Sequence, residues 1–275
     1  MKTIEMRTCN IETGYGHSSK GNQLKWEQDG WWYKADAFGF EGLAETVASR
    51  LLVASNLQDI VSYEPVIIRY NGKEFRGCRS KNFRKENEIL VPLERLARSY
   101  TSLGLAKQLG RMTDAKARIQ YTEELVRNVT GLEGFGEYLA KLLEIDAFFL
   151  NEDRHTNNIA LLWDTEKEEY RFCPFYDMGL SLFSDTKEEY PMGRSFWDCR
   201  EKIAAKPFHR DFDEQLDAVN ALYGCYLKFP FGEKEIVKAA GNLYDEFEGL
   251  YTKEEIKRVE EVLRYQAGKY KYMFL

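Results

Sequence analysis

At 275 residues and 32.2 kDa, the chain is long enough for a sizeable core and for two lobes sharing a cleft. A net charge of −6 and a pI near 5.4 speak against direct nucleic-acid binding, because a phosphate backbone selects a basic surface. The apolar runs 147–150 and 159–163 are far too short to span a membrane, and Met1–Met6 lacks the apolar stretch of a signal peptide.

Cys9, Cys78, Cys173, Cys199 and Cys225 are scattered and form no C-x-x-C pair, which fits a reducing cytoplasm and suggests neither disulfides nor zinc. His17, His155 and His209 show no metal-ligand spacing.

In chain order, the first feature is a loop at 13–22 with three glycines at 14, 16 and 21. Such a loop lets backbone N–H groups approach an anion, with Ser18, Ser19 and Lys20 as the nearest side chains. Residues 23–26 and 31–35 flank an Asp-Gly turn at 29–30, a hairpin signal. Lys34 lies on its second strand beside Trp32 and Tyr33, on a face expected to be partly covered. A helix is expected over 41–56, with Leu43, Val47 and Leu51 on one stripe. Its Glu41 and Glu45, four apart, share a side, and either can pair with Lys34, with Glu41 slightly preferred. A second hairpin, 64–70 and 74–80 around Asn71-Gly72, ends at Arg79 and Asn82.

From Pro92 the pattern turns helical. Helices are expected over 92–108, 113–129, 133–150, 211–228, 233–247 and 252–272, the last behind a capping box at Thr252 and Glu255. The predicted organisation is α+β, with a small antiparallel-sheet lobe over 1–83 and a mainly helical lobe over 84–275.

The most informative segment is Asn151–Asn158, which reads N-E-D-R-H-T-N-N. Asp153 stands five positions before Asn158, and Asp177 follows in a D-x-G. Phosphoryl transfer needs a carboxylate to orient the attacking hydroxyl and oxygen ligands for the magnesium ions on ATP. This spacing supplies both: Asp153 as the catalytic acid, Asn158 and Asp177 as metal ligands. Asn151 is a candidate for positioning the loop. Residues 159–163 and 170–173 read as a hairpin that returns Asp177 beside Asp153 and Asn158. Lys34 is then the lysine for the α- and β-phosphates, and the backbone at Arg79–Asn82 would meet the adenine edge. The hydroxyl-rich stretch 181–206 is either a substrate-binding segment or a surface loop.

The N-x-D-R-H-x-x-N loop with its downstream D-x-G resembles the HipA-like family of bacterial serine/threonine kinases. The likeness extends to the Lys34 strand, the Gly/Ser loop, the 41–56 helix and Lys206-Pro207-Phe208. It implies a two-lobed protein-kinase-like fold, use of ATP and Mg, and self-phosphorylation at Ser18 or Ser19. Many members of that family are toxins paired with an antitoxin protein. Compared with the longest members, this chain looks like a short, minimal form. Lipid kinases share a D-R-H-x-x-N loop, so a lipid or small-molecule phosphotransferase is an alternative, as is a nucleotide-binding pseudokinase regulator.

Overall fold

The computed structural model describes residues 2–7 and 23–275. Five strands form the first sheet: β1 Lys2–Glu5, β2 Lys25–Gln28, β3 Trp31–Ala35, β4 Tyr63–Tyr70 and β5 Lys73–Lys81. A helix, α1 Glu41–Val53, is inserted after β3. The sheet order is β1-β4-β5-β3-β2; β1 runs parallel to β4 and every other pair is antiparallel. Both expected hairpins form, turning on Asp29-Gly30 and Asn71-Gly72. Asp29, Gly30, Asn71 and Gly72 all have positive φ, which suits the twist of tight hairpins. Trp26, Tyr33, Ala35, Val66 and Ile68 bury one face of this sheet. α1 packs against β4 and β5 with Leu43, Ala44, Val47 and Leu51 fully buried.

The remainder is mainly helical around a smaller antiparallel sheet. In chain order it comprises β6 Glu88–Pro92, α2 Leu93–Thr101, α3 Leu105–Leu109, α4 Ala115–Thr130, α5 Phe135–Phe149, β7 Ala160–Asp164, β8 Glu169–Phe172, α6 Phe196–Lys202 and α7 Phe212–Tyr223. The chain closes with a 3₁₀ turn at Glu233–Glu235, then α8 Ile236–Ala239, α9 Leu243–Glu246 and α10 Lys253–Lys269. α5 is the axis of this part. Apart from Glu137 and Lys141 all of its residues are buried, as expected of a helix packed on every side, here by α4, α7 and α10.

The mixed α+β architecture agrees with the sequence reading, while several elements are shorter than expected. The 92–108 helix divides because Ser102 adopts a left-handed conformation (φ 63°) and Gln108 bonds back to Thr101 and Leu103. The 211–228 helix stops at Gly224, with φ 90°. The 233–247 helix breaks at Gly241 (φ 100°), beyond which the Asn242 side chain caps α9. β1, β6 and α6 were not foreseen.

The two parts are joined by charge as well as by chain. Arg76 on β5 forms a two-bonded ion pair with Glu255 of α10, at 3.0 and 2.7 Å, and also reaches Asp36 and the Gly39 carbonyl. The Tyr251 ring lies 4.8 Å from its guanidinium carbon, with the hydroxyl bonded to Asp36. In the smaller sheet, β7 lies between β6 and β8, and the Arg171–Glu88 pair ties the two edges together at 2.7 and 2.6 Å. Bonding to Arg171 holds the Glu88 carboxyl at a pKa of about 2.

The folded-state value is thus below the unfolded one, near 4.3. The stability it contributes is complete above the unfolded value and disappears as pH falls toward about 2. Glu88→Gln is therefore expected to be less stable than the wild type at pH 7. The difference should shrink steadily between about pH 5 and pH 2 in urea titrations; a gap independent of pH would contradict this.

Candidate functional site

The loop after α5 begins with Leu150 in a left-handed conformation, which turns the chain out of the helix. Arg154 then points back inward and is fully buried. Its Nε lies 3.2 and 3.0 Å from the two carboxylate oxygens of Asp146 on α5. Its remaining donors reach the carbonyls of Asn158 (3.0 Å) and Tyr176 (3.2 Å). One side chain thereby fixes both ends of the β7–β8 excursion. Asn151 completes the anchor: its amide donates to Asp146 at 2.8 Å and its oxygen accepts the Asp153 N–H at 3.2 Å. Asn151 thus shapes the loop from behind.

Held this way, Asp153 and Asn158 face one cleft. The Asn158 amide nitrogen donates to the Asp153 carbonyl at 2.8 Å and to its Oδ2 at 3.2 Å, which leaves its carbonyl oxygen as the available acceptor. Asp177 arrives on the far side of the hairpin in a left-handed conformation (φ 66°), a placement that non-glycine residues keep only when their surroundings enforce it. The enforcement is visible. Lys34 Nζ lies 2.6 Å from Asp177 Oδ1 and 2.6 Å from Glu45 Oε1, with the Tyr63 ring 5.2 Å away. Glu45 Oε2 accepts the Met178 N–H at 2.8 Å.

Gln23, Lys25, Phe38, Glu41, Asp153, Asn158, Asp177, Gly179 and Leu180 line this cleft together. Burial alone would lower the Lys34 pKa, but the carboxylates of Asp177 and Glu45 outweigh it and hold the ammonium well above its ordinary value. Burial would likewise raise Asp177, yet Lys34 and Lys25 drive it far below the usual carboxylate range. Glu45 competes for the same ammonium and is raised, first by burial. Lys34 and Asp177 are therefore both charged at neutral pH.

Glu41 requires a correction. It does not meet Lys34; its carboxylate accepts the backbone N–H groups of Ala37, Phe38 and Gly39 at 2.7–2.8 Å, closing the turn ahead of α1. That turn abuts the segment after Asp177, where a Cβ on Gly39 would come within 2.0 Å of the Ser184 carbonyl oxygen. Glu45, one helical turn further on, is the residue that reaches the lysine. Arg79 and Asn82 also have other engagements: Arg79 pairs with Glu64 at 2.7 Å and stacks 4.0 Å from the Trp31 ring, and Asn82 bonds Glu27 at 2.7 Å. Neither side chain lines the cleft. Ser18, Ser19 and Lys20 lie outside the described residues.

The segment 181–206 is not a simple surface loop. Ser181, Ser184 and Tyr190 are buried. The Tyr190 hydroxyl donates to Glu152, and Arg258 of α10 donates to the carbonyls of Tyr190, Pro191, Met192 and Arg194. The anchor Asp146 carries only a weak sequence signal, an acid in the apolar end of α5 that it shares with Glu144. Lys206, noticed only as part of the Lys206–Phe208 likeness, places Nζ 3.7 Å from Asp153 Oδ1.

No family model matches the chain, and no curated protein does. Among solved structures, the crystal structure of CtkA, a proinflammatory kinase of Helicobacter pylori, is similar. It superposes with a TM-score of 0.62 over 97% of this chain and 95% of that one, at 16% sequence identity. At that identity the likeness concerns the fold, which is kinase-like.

Arg154→Met should leave Asp146 buried without its cation and lower the unfolding free energy by roughly 3–5 kcal/mol. Adding Asp146→Leu should restore a large part of the loss. Urea denaturation of the single and double variants measures this; a double variant as unstable as the sum of its parts would refute the coupling.

Proposed function

We propose that the chain is an ATP- and Mg-dependent serine/threonine protein kinase of HipA-like type. The observation that carries the reading is that Asp153, Asn158 and Asp177 line one cleft on a kinase-like fold, while Lys34 from a distant strand pairs with Asp177. Lys34, already paired with Glu45, is the cation for the α- and β-phosphates. Asp153 orients the acceptor hydroxyl and takes its proton.

The donor set suits magnesium. Asn158 keeps a carbonyl oxygen and Asp177 a carboxylate, both hard oxygen ligands. Among the described residues no cluster of three or more His, Cys, Asp or Glu could hold a metal unaided. That agrees with an ion whose coordination is completed by phosphate and water. Bound there, it would neutralise charge on the transferred phosphoryl group.

A protein acceptor is favoured over a lipid because no basic amphipathic face appears in the sequence. The HipA-like likeness further suggests self-phosphorylation at Ser18 or Ser19 and pairing with an antitoxin protein.

Incubation with labelled ATP and magnesium should give phosphoprotein. Asp153→Ala and Asp177→Ala should each reduce the initial rate roughly 10²–10⁴-fold, the scale of a lost general base or charge stabiliser. Intact-mass measurement, with fragmentation over residues 13–22, locates any modified serine. Equal labelling of wild type and Asp153→Ala would remove the assignment.

A further inference from the structure

Beside the Asp153 loop lies a second cavity of about 250 Å³. It is lined by Ala106, Leu109 and Gly110 at the end of α3, Arg118 of α4, His155 and Thr156 of the loop, and Lys206 and Pro207. Among the described residues it shares no lining residue with the first cleft. Its two nearest polar atoms converge on a single oxygen: Lys206 Nζ is 3.7 Å and His155 Nε2 3.8 Å from Asp153 Oδ1. The other oxygen, Oδ2, is the one that accepts from Asn158. Oδ2 is thus the oxygen on the Asn158 side, and Oδ1 the one facing Lys206 and His155, which both line this cavity.

The chemistry of the lining is one-sided. His155 Nδ1 accepts the Asn157 N–H, which leaves Nε2 to carry the proton, and among the described residues this buried atom has no hydrogen-bond partner. Arg118 donates to the carbonyls of Met112 and Phe208 rather than to a carboxylate. Lys206 is 38% exposed and can leave Asp153 for an incoming anion. Among the described residues no acid lines the cavity. The nearby Glu94 sits behind Thr156, engaged by the Thr156 hydroxyl, the Ala106 N–H and Arg98. Leu109, Ala106 and Pro207 supply an apolar wall. The volume lies just below the roughly 300–1,000 Å³ of small-molecule sites, which suits one or two side chains better than a coenzyme.

We propose that this second cavity is the acceptor subsite, and that it takes a serine or threonine of an extended peptide flanked by aspartate or glutamate, whose carboxylate pairs with Lys206. The proposal rests on the kinase reading and specifies its substrate class. The acceptor hydroxyl enters beside Oδ1 and gives its proton to Asp153. Its oxygen forms a bond to the γ-phosphorus of a nucleoside triphosphate in the first cleft. The bond from that phosphorus to the β-bridging oxygen breaks, and the nucleoside diphosphate leaves with the electron pair. Lys206 is a specificity residue in this scheme, holding the flanking acid and thereby the hydroxyl.

The test uses two synthetic peptides identical except at the positions flanking a central serine, occupied by Asp and Glu in one and by Lys in the other. The wild type should favour the acidic peptide about tenfold or more in kcat/KM, the scale of one well-placed charge contact. Lys206→Glu should bind MgATP with the wild-type affinity by calorimetry yet shift its preference toward the basic peptide. Lys206→Gln, the milder change should Lys206→Glu not fold, should bring the ratio toward one. Equal use of both peptides by the wild type, or a preference unmoved by either substitution, overturns the subsite while leaving the kinase reading intact. Phosphorylation of neither peptide by protein that labels itself likewise overturns the subsite, whereas neither peptide phosphorylated and no self-labelling, with MgATP bound, removes the protein-kinase reading.

Discussion

The buried Arg154–Asp146 pair is the constraint on which the rest of the site depends. A guanidinium taken out of water must find a partner for each donor, because an unpaired buried charge is costly. Arg154 does so with Asp146 on α5 and with the carbonyls of Asn158 and Tyr176, and those contacts bring a loop and a hairpin end to the same rigid helix. Asp153 and Asn158 cannot move relative to Asp177 without breaking bonds to the same side chain. Exclusion from solvent makes the arrangement stiff: Arg154 and Asp146 are each only 1% exposed.

The second link runs between the two parts of the molecule. Lys34 from the first sheet inserts between Glu45 of α1 and Asp177 of the hairpin, while Glu45 also holds the backbone at Met178. Two carboxyl groups thus compete for one buried ammonium. Arg76 performs the corresponding task at the outer edge, joining β5 to α10 and bracing the Gly39 turn. The two parts therefore meet through directional charged contacts in addition to the buried apolar cluster that α1 shares with the helical part.

Much of the site was legible because its spacing is local. The six residues from Asp153 to Asn158 close through a single amide, and a hairpin of ordinary strand length returns Asp177 by geometry that alternation and turn residues reveal. The choice between Glu41 and Glu45 was not legible. Both share a helix side, and what separates them is the turn at 37–39, whose three backbone N–H groups claim Glu41. The broken helices were hidden for a related reason. Apolar spacing persists across Ser102 and Gly241, and the breaks come from left-handed backbone and side-chain caps that periodicity does not record. β1 and β6 depend on partners far along the chain, β4 and β7 respectively, and so leave little local signal.

The arginine beside Asp153 is wholly committed to the scaffold, which has a consequence for the segment that follows Asp177. Arg154 reaches that segment at its start, through the Met178 sulfur at 3.3 Å, and the order of the rest comes from elsewhere. Arg258 binds four of its carbonyls, Tyr190 is bonded to Glu152 of the loop, and Lys187 reaches the Ala37 carbonyl beside α1. The segment leads through α6 to Lys206, so the same contacts that fix its course deliver Lys206 to Asp153. The two oxygens of that carboxylate are thereby addressed by two independent constraints: Oδ2 by the loop's own amide, and Oδ1 by a lysine 53 residues further along the chain.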